Sequence, residues 1–393
     1  MRVALLLTAA ALARGQNFEQ RGFLETATFL YPQTAANDSG QAVGGALFRY
    51  EAFYKLTNFH FAAGFEAGFD THNQTLRGLD LSWFDRTRQR PAFSFRLLSA
   101  IYTHGKLTIE AGKQLVRWGK ADILTPTDRF APRDFLNVVE TDFLPITATR
   151  LTYGTQSDTI DLVFEPRLTP SRIPLFNQRW GTPIPIGESN PDFPGAPQYG
   201  ARWNHVGATA EYSLSFYNGF DHLPLFRLTP AFTLQPFYPQ LRMYGADAAV
   251  PLGPVTVKSE AAYFTSADPQ SDNYVLYVVQ LERQAGEWSF VGGYAGEATT
   301  DHRSTFAFSP VRGFARSLVG QAAYTIDTNR SVSFEGVVRQ NGEGMWLRAG
   351  YTQAFGQHLR ATAAFSLIRG DPTDFIGQYR RNSHALLILR YSF

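Results

Sequence analysis

The sequence predicts an all-β protein: a transmembrane antiparallel β-barrel of about 18 strands, with 16 as the alternative count and no separate plug domain. Three observations lead to this prediction. Segments of about ten residues alternate apolar and polar side chains along most of the chain. The connections between these segments are alternately short and long. The last segment ends on an aromatic residue, Phe393.

The stretch from Phe59 to Phe69 shows the alternation most clearly. Its odd-numbered residues are all Phe or Ala, and its even-numbered residues include His60 and Glu66. A strand of a soluble β-sandwich would show the same period, so the period alone does not decide between the two folds. Three observations together favour the barrel. One half of each strand is too polar for a dry core and the other half too apolar for water. The strands are about ten residues long, as a tilted crossing of a bilayer needs, whereas strands of soluble sheets average about five to six. The connections alternate between short and long.

The connections predict the strand count. Short turns are expected near residues 57–58, 104–105, 156–157, 212–213, 253–254, 285–286, 328–329 and 356–357. Longer connections are expected at 32–43, 70–91, 116–146, 166–202, 220–240, 266–272, 298–314, 341–344 and 370–382. Eight turns and nine connections join 18 strands. Sixteen is the alternative because the connection 341–344 is short and residues 76–84 could form a further strand or an arm above the membrane.

Composition excludes several classes of protein. The chain has no cysteine, a mean hydropathy of −0.21 and no apolar run after residue 15 that approaches the length of a spanning helix, about 20 residues. A net charge of +2, with both signs interspersed, predicts no nucleic-acid partner. The eight histidines show no spacing typical of metal ligands. No catalytic motif is present, so we predict neither an enzyme nor a metal or cofactor.

Both ends of the chain carry signals of export and assembly. Residues 1–15 read as a secretory signal peptide, with one basic residue, an apolar stretch and small residues near the end. Strand patterning starts near Gly22, which leaves no room for a plug of about 100 residues between the leader and the barrel, residues 16–393. The final strand resembles the signal that the bacterial barrel-assembly machinery recognises, carried here by Leu389, Tyr391 and Phe393.

One internal motif adds a family resemblance. Gly112-Lys113-Gln114 is followed by Trp118-Gly119, and the stretch resembles the G-[KR]-Q-x-x-x-W-G motif of porin-like outer-membrane proteins. It is more distantly similar to a strand of alginate-export porins. The resemblance implies a passive or weakly selective channel and leaves the solute open.

The candidate site is the lumen. In porins a long loop folds inward and narrows the channel, and opposed charges there orient solutes. We expect residues 116–146 to be this loop. The predicted constriction consists of Arg117, Lys120, Asp122, Asp128, Arg129, Arg133 and Asp134. The predicted lumen wall includes Arg96, Glu110, Arg150, Arg348, Arg360 and Arg390.

These patterns predict a porin in the outer membrane of a Gram-negative-type bacterium that passes small hydrophilic solutes by diffusion. Of the 36 basic residues, 31 are arginines, whose planar fork suits carboxylates and phosphates and tilts the expected preference towards anions. The alternatives are a channel specific for an acidic polysaccharide or an aromatic compound, and a scaffolding barrel that holds a partner protein. The expected partners are outer-membrane lipid, lipopolysaccharide, the barrel-assembly machinery and small-molecule solutes. The sequence leaves the oligomeric state undecided, and a homotrimer is one alternative.

Overall fold

A computed structural model describes residues 17–78, 83–182, 187–303 and 308–393. The predicted signal peptide, residues 1–15, lies outside the described residues, as do residues 79–82 of the uncertain segment 76–84. No helix in the described ranges is both long enough and apolar enough to cross a membrane.

Eighteen strands form one antiparallel sheet, which confirms the predicted fold class and the higher of the two strand counts. The barrel strands are β1 (Phe18–Leu30), β2 (Ala42–Leu56), β3 (Phe59–Asp70), β4 (Phe93–His104), β5 (Leu107–Gln114), β8 (Ile146–Gly154), β9 (Asp158–Glu165), β10 (Gln198–Val206), β11 (Glu211–Phe220), β14 (Gln240–Leu252), β15 (Val255–Thr265), β16 (Asn273–Ala285), β17 (Trp288–Asp301), β18 (Ser317–Asp327), β19 (Arg330–Arg339), β20 (Gly344–Phe355), β21 (Leu359–Gly370) and β22 (His384–Ser392). Four short strands lie in the connections: β6 (Arg133–Asp134), β7 (Asp142–Phe143), β12 (Leu225–Leu228) and β13 (Leu234–Phe237). A helical turn (Pro310–Gly313) and a 3₁₀ helix (Gly377–Asn382) complete the described elements.

The sheet closes on itself, because β1 pairs with β22 as well as with β2. At the seam, the backbone amide of Gly22 donates to the carbonyl of Phe393 at 3.0 Å, and the amide of Phe393 donates back to Gly22 at 3.0 Å. Closure leaves no edge strand with unpaired backbone groups, which is the condition for a sheet to stand in lipid.

The side chains alternate as the sequence predicts. On the last two strands Phe365 and Leu387 point outward and are 46% and 51% exposed, whereas their neighbours Ser366 and Leu386 point into the barrel and are 1% and 2% exposed. Aromatic rings also cluster on the outer surface near the short turns, as in the pair of Trp288 and Tyr324, whose ring centroids are 4.7 Å apart. The polar half of each strand therefore faces the lumen and the apolar half faces outward.

The connections follow the predicted alternation, with corrections to some bounds: residues 198–202 belong to β10 and residues 298–301 to β17, and one predicted turn is misplaced. Tyr212 and Ser213, predicted as a turn, lie within β11. The hairpin is at residues 207–210, where the amide of Gly207 donates to the carbonyl of Ala210 at 2.9 Å. The glycine places the turn earlier than the alternation alone suggests. The described part of segment 76–84 adds no strand to the barrel.

Candidate functional site

The connection from β5 to β8, residues 115–145, is tied to the inner wall six strands further round the barrel. The carboxylate of Glu260 on β15 is 2% exposed and accepts three backbone bonds from this loop. The donors are the amides of Lys120 at 3.0 Å, Ala121 at 3.1 Å and Thr127 at 2.7 Å. The first half of the loop is therefore held against the wall formed by β15 and its neighbours.

The second half of the loop contacts other parts of the wall. Glu140 Oε2 lies 3.2 Å from Arg348 Nη1 on β20. Asp142 Oδ2 lies 3.2 Å from Arg49 on β2 and 3.2 Å from Arg96 on β4. Since β15, β20 and β2 are well separated around the sheet, the loop crosses the lumen rather than standing above it.

The strand before this loop is fixed by the first half of the sequence motif. Gly112 has a φ of +125°, and a Cβ there would come within 2.2 Å of the carbonyl oxygen of Leu98. Lys113 is 1% exposed and donates to Asp85 at 2.6 Å. Gln114 donates to the carbonyl of Ala148 at 3.0 Å. Each residue of Gly-Lys-Gln thus has a packing or bonding reason to be there.

The second half of the motif fixes the start of the loop. Trp118 packs edge-on against Phe130, with ring centroids 5.2 Å apart. At Gly119 a Cβ would come within 2.6 Å of Thr125 Cβ and 3.2 Å of a Glu260 oxygen. A side chain at Gly119 would therefore collide with Thr125 and crowd Glu260.

A polar cavity of about 460 Å³ lies between the second half of the loop and the wall of β1 to β4 and β22. Its basic lining residues are Arg49, Arg90, Arg96, Arg172 and Arg390. Its acidic lining residues are Glu25, Glu66, Asp70, Asp85, Asp134, Glu140 and Asp142. Five basic groups against seven acidic groups make this lining mixed, and it is not a basic surface.

The wall side of the polar cavity is built from ion pairs. The guanidinium of Arg49 lies 2.5 Å from Glu66, and that of Arg390 lies 2.5 Å from Glu25. Arg96 reaches the same Glu66 at 3.4 Å. Arginines and carboxylates are thus paired along this wall, so opposed charges lie side by side in the cavity.

The outer loops close the top of the polar cavity. Arg172 bridges Asp85 and Asp134, each at 3.1 Å, and Arg90 reaches Asp134 at 2.8 Å. Burial would raise the pKa of the Asp134 carboxyl, but the guanidinium groups of Arg90 and Arg172 outweigh burial and hold that pKa below its ordinary value. The carboxylate is therefore charged at neutral pH and joins three connections.

A second cavity, of about 170 Å³, lies on the other side of the loop against β15, β16 and β18 to β20. Its lining combines many apolar residues, among them Ile123, Pro126, Val138, Phe264, Leu276, Val319, Val337 and Trp346, with the charged Asp128, Arg129, Arg133, Asp221 and Glu335. The indole nitrogen of Trp346 has no hydrogen-bond partner among the described residues. The loop thus separates the polar cavity, with its many charged groups, from this second cavity, which has more apolar residues (the apolar cavity).

The seven residues predicted for the constriction do not form one ring. Asp134 lines the polar cavity, whereas Asp128, Arg129 and Arg133 line the apolar cavity. The other three are engaged in ion pairs: Arg117 with Asp128 at 3.3 Å, Lys120 with Glu211 at 2.9 Å and Asp247 at 3.0 Å, and Asp122 with Lys258 at 3.0 Å.

The predicted wall residues are likewise spread over the lumen. Arg96 and Arg390 line the polar cavity, and Arg348 holds Glu140. Glu110 accepts a hydrogen bond from Ser99 at 2.8 Å, and Arg150 pairs with Asp161 at 2.5 Å. Arg360 is exposed near a short turn and has no ion-pair partner in the part of the chain that the structure describes.

The charged residues of the polar cavity that were not predicted from the sequence include Asp85, Arg90 and Arg172. They lie in long connections, where no periodicity indicates which way a side chain points. The only signal was indirect. A lysine in the motif that becomes fully buried needs a carboxylate partner, and Asp85 is that partner of Lys113.

The fold and the divided lumen define a class of protein: single-chain, 18-stranded barrels with a long segment folded inside. Among solved structures, OccAB4 of Acinetobacter baumannii is similar with a TM-score of 0.58, 10% identity, and coverage of 97% of this chain and 99% of that one. A BenF-like porin of Pseudomonas fluorescens Pf-5 is similar with a TM-score of 0.57 and 10% identity, and the match covers 96% of this chain and 98% of that one. The outer-membrane protein OpdK of Pseudomonas aeruginosa is similar with a TM-score of 0.55 and 9% identity, and the match covers 95% of this chain and 99% of that one. Family models and curated proteins give no match. At these identities the likeness establishes the shared porin fold.

Proposed function

We propose that the protein is an outer-membrane channel of a Gram-negative bacterium through which small hydrophilic solutes diffuse. The observation that carries the proposal is the polar cavity beside the lumen-crossing loop, since water-filled space lined by paired charges is what a hydrated solute needs. The shared fold with porins agrees with this function. Residues 1–15 serve as the leader, residues 116–146 narrow the lumen, and no reaction is catalysed.

The selectivity that we propose is weak. Arginines on the wall face the loop carboxylates Glu140 and Asp142, so a solute with both charges would be oriented across the cavity. The arginine content predicts a preference for anions. The lining of the polar cavity adds no support to this prediction, because acidic groups outnumber basic ones there. The Gly-Lys-Gln and Trp-Gly motif agrees with kinship to porin-like proteins, and a more distant kinship to alginate-export porins remains part of the proposal.

A second candidate is a channel specific for an aromatic compound. It is favoured by the apolar cavity, whose wall includes Phe264 and Trp346 and a free indole N–H. Among the similar structures, OpdK of P. aeruginosa has been solved with vanillate. In this case the solute would contact both sides of the loop in turn.

Cysteine labelling in planar bilayers tests the channel proposal cleanly, because the chain has no native cysteine. Ala27 lines the polar cavity on β1, whereas Leu24 on the same strand points outward and is 49% exposed. We expect a charged methanethiosulfonate reagent to lower the conductance of the Ala27→Cys variant and to leave the Leu24→Cys variant unchanged.

The same recordings separate the alternatives. Absence of any current from correctly assembled protein would reject the channel and favour the scaffolding barrel. Current that an aromatic acid blocks at low concentration, but that a simple sugar does not, would favour the specific channel.

A further inference from the structure

The outer, lipid-facing surface of β17 to β21 carries a groove. Gly292, Gly320 and Gly336 are cross-strand neighbours in one row on this surface. A Cβ on Gly292 would meet no atom within 4 Å, and a Cβ on Gly320 would meet only the carbonyl oxygen of Val291 at 3.7 Å. Packing therefore does not require glycine at these two positions. An open groove of about 700 Å³ lies along this row and is lined by Gly320 and Gly336.

The walls of the groove are apolar. Leu318 is 61% exposed, Phe334 51% and Phe365 46%, and all three point outward. Leu347 lies over Gly336, where a Cβ would come within 2.6 Å of its Cδ2. A narrow depression with such walls in the hydrocarbon zone suits an acyl chain, since an extended chain gains contact on both sides that a flat wall does not offer.

Two arginines stand at the long-loop end of the groove. Arg369 is exposed and follows Leu367 by two residues on β21, so both side chains share the outer face. Arg316 lies directly before β18, has a φ of +53°, and has a side chain that is 48% exposed. The two strands are three positions apart in the sheet, which places them about 14 Å apart at the usual strand spacing.

Neither guanidinium has its charge fully balanced by protein. Arg369 has no carboxylate partner within the described ranges. Arg316 Nε lies 3.7 Å from Glu297 Oε2, but Glu297 is bound more closely by Arg312 Nε at 2.5 Å. Arginines exposed at the edge of an apolar surface attract an anion, and their planar forks match phosphate in particular.

We propose that this groove and its two arginines bind a phosphorylated glycolipid of the outer leaflet, with an acyl chain over the glycine row and phosphates at Arg316 and Arg369. The charge of the lipid headgroup is the reason to prefer this glycolipid over a phospholipid. A zwitterionic phospholipid offers one phosphate beside a cation, whereas a lipid A headgroup offers two phosphates on one rigid disaccharide that can face two separated arginines. The proposal goes beyond solute transport, because it concerns the outer surface and holds whatever the lumen conducts.

The test uses protein refolded in dodecyl maltoside, which carries no bacterial lipid, titrated with diphosphoryl lipid A and followed by native mass spectrometry. We expect one bound lipid A, and an affinity at least about ten-fold weaker in the double variant Arg316→Gln and Arg369→Gln, since the charge-assisted bonds to the phosphates are lost. Gly320→Leu, which fills the groove and keeps both arginines, should also weaken binding.

The matched control is Arg242→Gln. Arg242 is an exposed arginine at the long-loop end of β14, bonded to Asn218 at 3.0 Å and distant from the groove in strand order. Its loss should leave lipid A affinity unchanged. Heat-modifiable migration in gels confirms that each variant is folded before it is compared.

Four results would overturn the proposal. One is equal affinity of the double variant and the wild type, and another is equal affinity for lipid A stripped of both phosphates. Displacement of lipid A by inorganic phosphate alone would make the arginines an anion site without a lipid. Cross-linked oligomers that Gly320→Leu abolishes while lipid A affinity stays the same would assign the groove to a second copy of the chain.

Discussion

The buried carboxylate of Glu260 accepts a bond from the backbone amide of Thr127 at 2.7 Å and another from its hydroxyl at 2.8 Å, across 133 residues of sequence. With the amides of Lys120 and Ala121, one side chain satisfies four donors of the loop. Bonds to a charged acceptor contribute about 1.5 to 3 kcal/mol each, so this residue is the main anchor of the first half of the loop.

Replacing Glu260 by Ala should release the loop from the wall. We expect a larger and noisier single-channel conductance in planar bilayers, because four donors lose their acceptor and the segment becomes mobile in the lumen. Glu282→Ala is the matched control, since Glu282 is a wall carboxylate that pairs with Lys258 at 2.8 Å and makes no bond to the loop. An unchanged conductance in the Glu260 variant would show that the aromatic packing around Trp118 holds the loop by itself.

Channel selectivity should depend on pH near neutrality through Glu140. Burial raises the pKa of Glu140 to about 7, against the opposing effect of Arg348. The side chain is therefore neutral below this pH and charged above it, and acidification removes one negative charge from the polar cavity. Reversal potentials in a salt gradient should shift towards anions between pH 8.5 and pH 5.5, as expected for a titration centred at about 7.

The variant Glu140→Gln should resemble the acid form at every pH and lose this pH-dependent shift of the reversal potential. Glu343→Gln, in an exposed connection, should keep the shift.

The same pKa shift of Glu140 predicts how the stability of the protein depends on pH. The folded pKa lies above the unfolded value, so the folded state binds the proton more tightly and stability falls as pH rises from the unfolded pKa towards about 7. Thermal unfolding that is flat across this range would contradict the assignment.

Ion selectivity should respond to the wall arginines of the polar cavity. Changing Arg49 and Arg96 to Gln leaves Glu66 and Asp142 without their partners, so the cavity becomes more negative. We expect reversal potentials to shift towards cations. Arg129→Gln is a suitable comparison, because Arg129 lines the apolar cavity and pairs with Asp221 at 3.3 Å. A larger shift in the Arg129 variant would place the selective region on the apolar side of the loop.

Assembly should depend on the last aromatic residues. The ring of Phe393 lies against Gly22 and is near Phe48, with centroids 6.1 Å apart, so it covers the seam between the first and last strands. Changing Tyr391 and Phe393 to Ser should lower the amount of heat-modifiable barrel in the outer membrane. Phe355→Ser removes an outward ring that is 50% exposed, away from the seam, and should have little effect. Equal loss in both variants would indicate a general need for apolar surface and no terminal signal.

The fold could be predicted from the sequence because strand patterning is local. Alternation over a segment such as Phe59–Asp70 sets which face meets lipid, and an even strand count follows when all neighbouring strands, including the closing pair, are antiparallel. The polar cavity could not be predicted in the same way. The ion pair between Arg172 and Asp85 joins residues 87 positions apart in two irregular connections, and no periodicity relates them. The sequence shows that the loop is rich in charged residues. Which cavity each of them faces depends on the path of the backbone across the lumen, which the sequence does not reveal.

The seam between β1 and β22 also determines when the protein can reach its final form. Because the first strand pairs with the last, the barrel cannot close until the whole chain has been synthesised and exported. The anchors of the lumen loop are similarly late, since Glu260 and Arg348 follow the loop by many strands. The narrowing of the lumen is therefore expected to form at or after closure, so a partly assembled barrel would be leakier than the finished one. Folding kinetics dominated by such long-range contacts are slow.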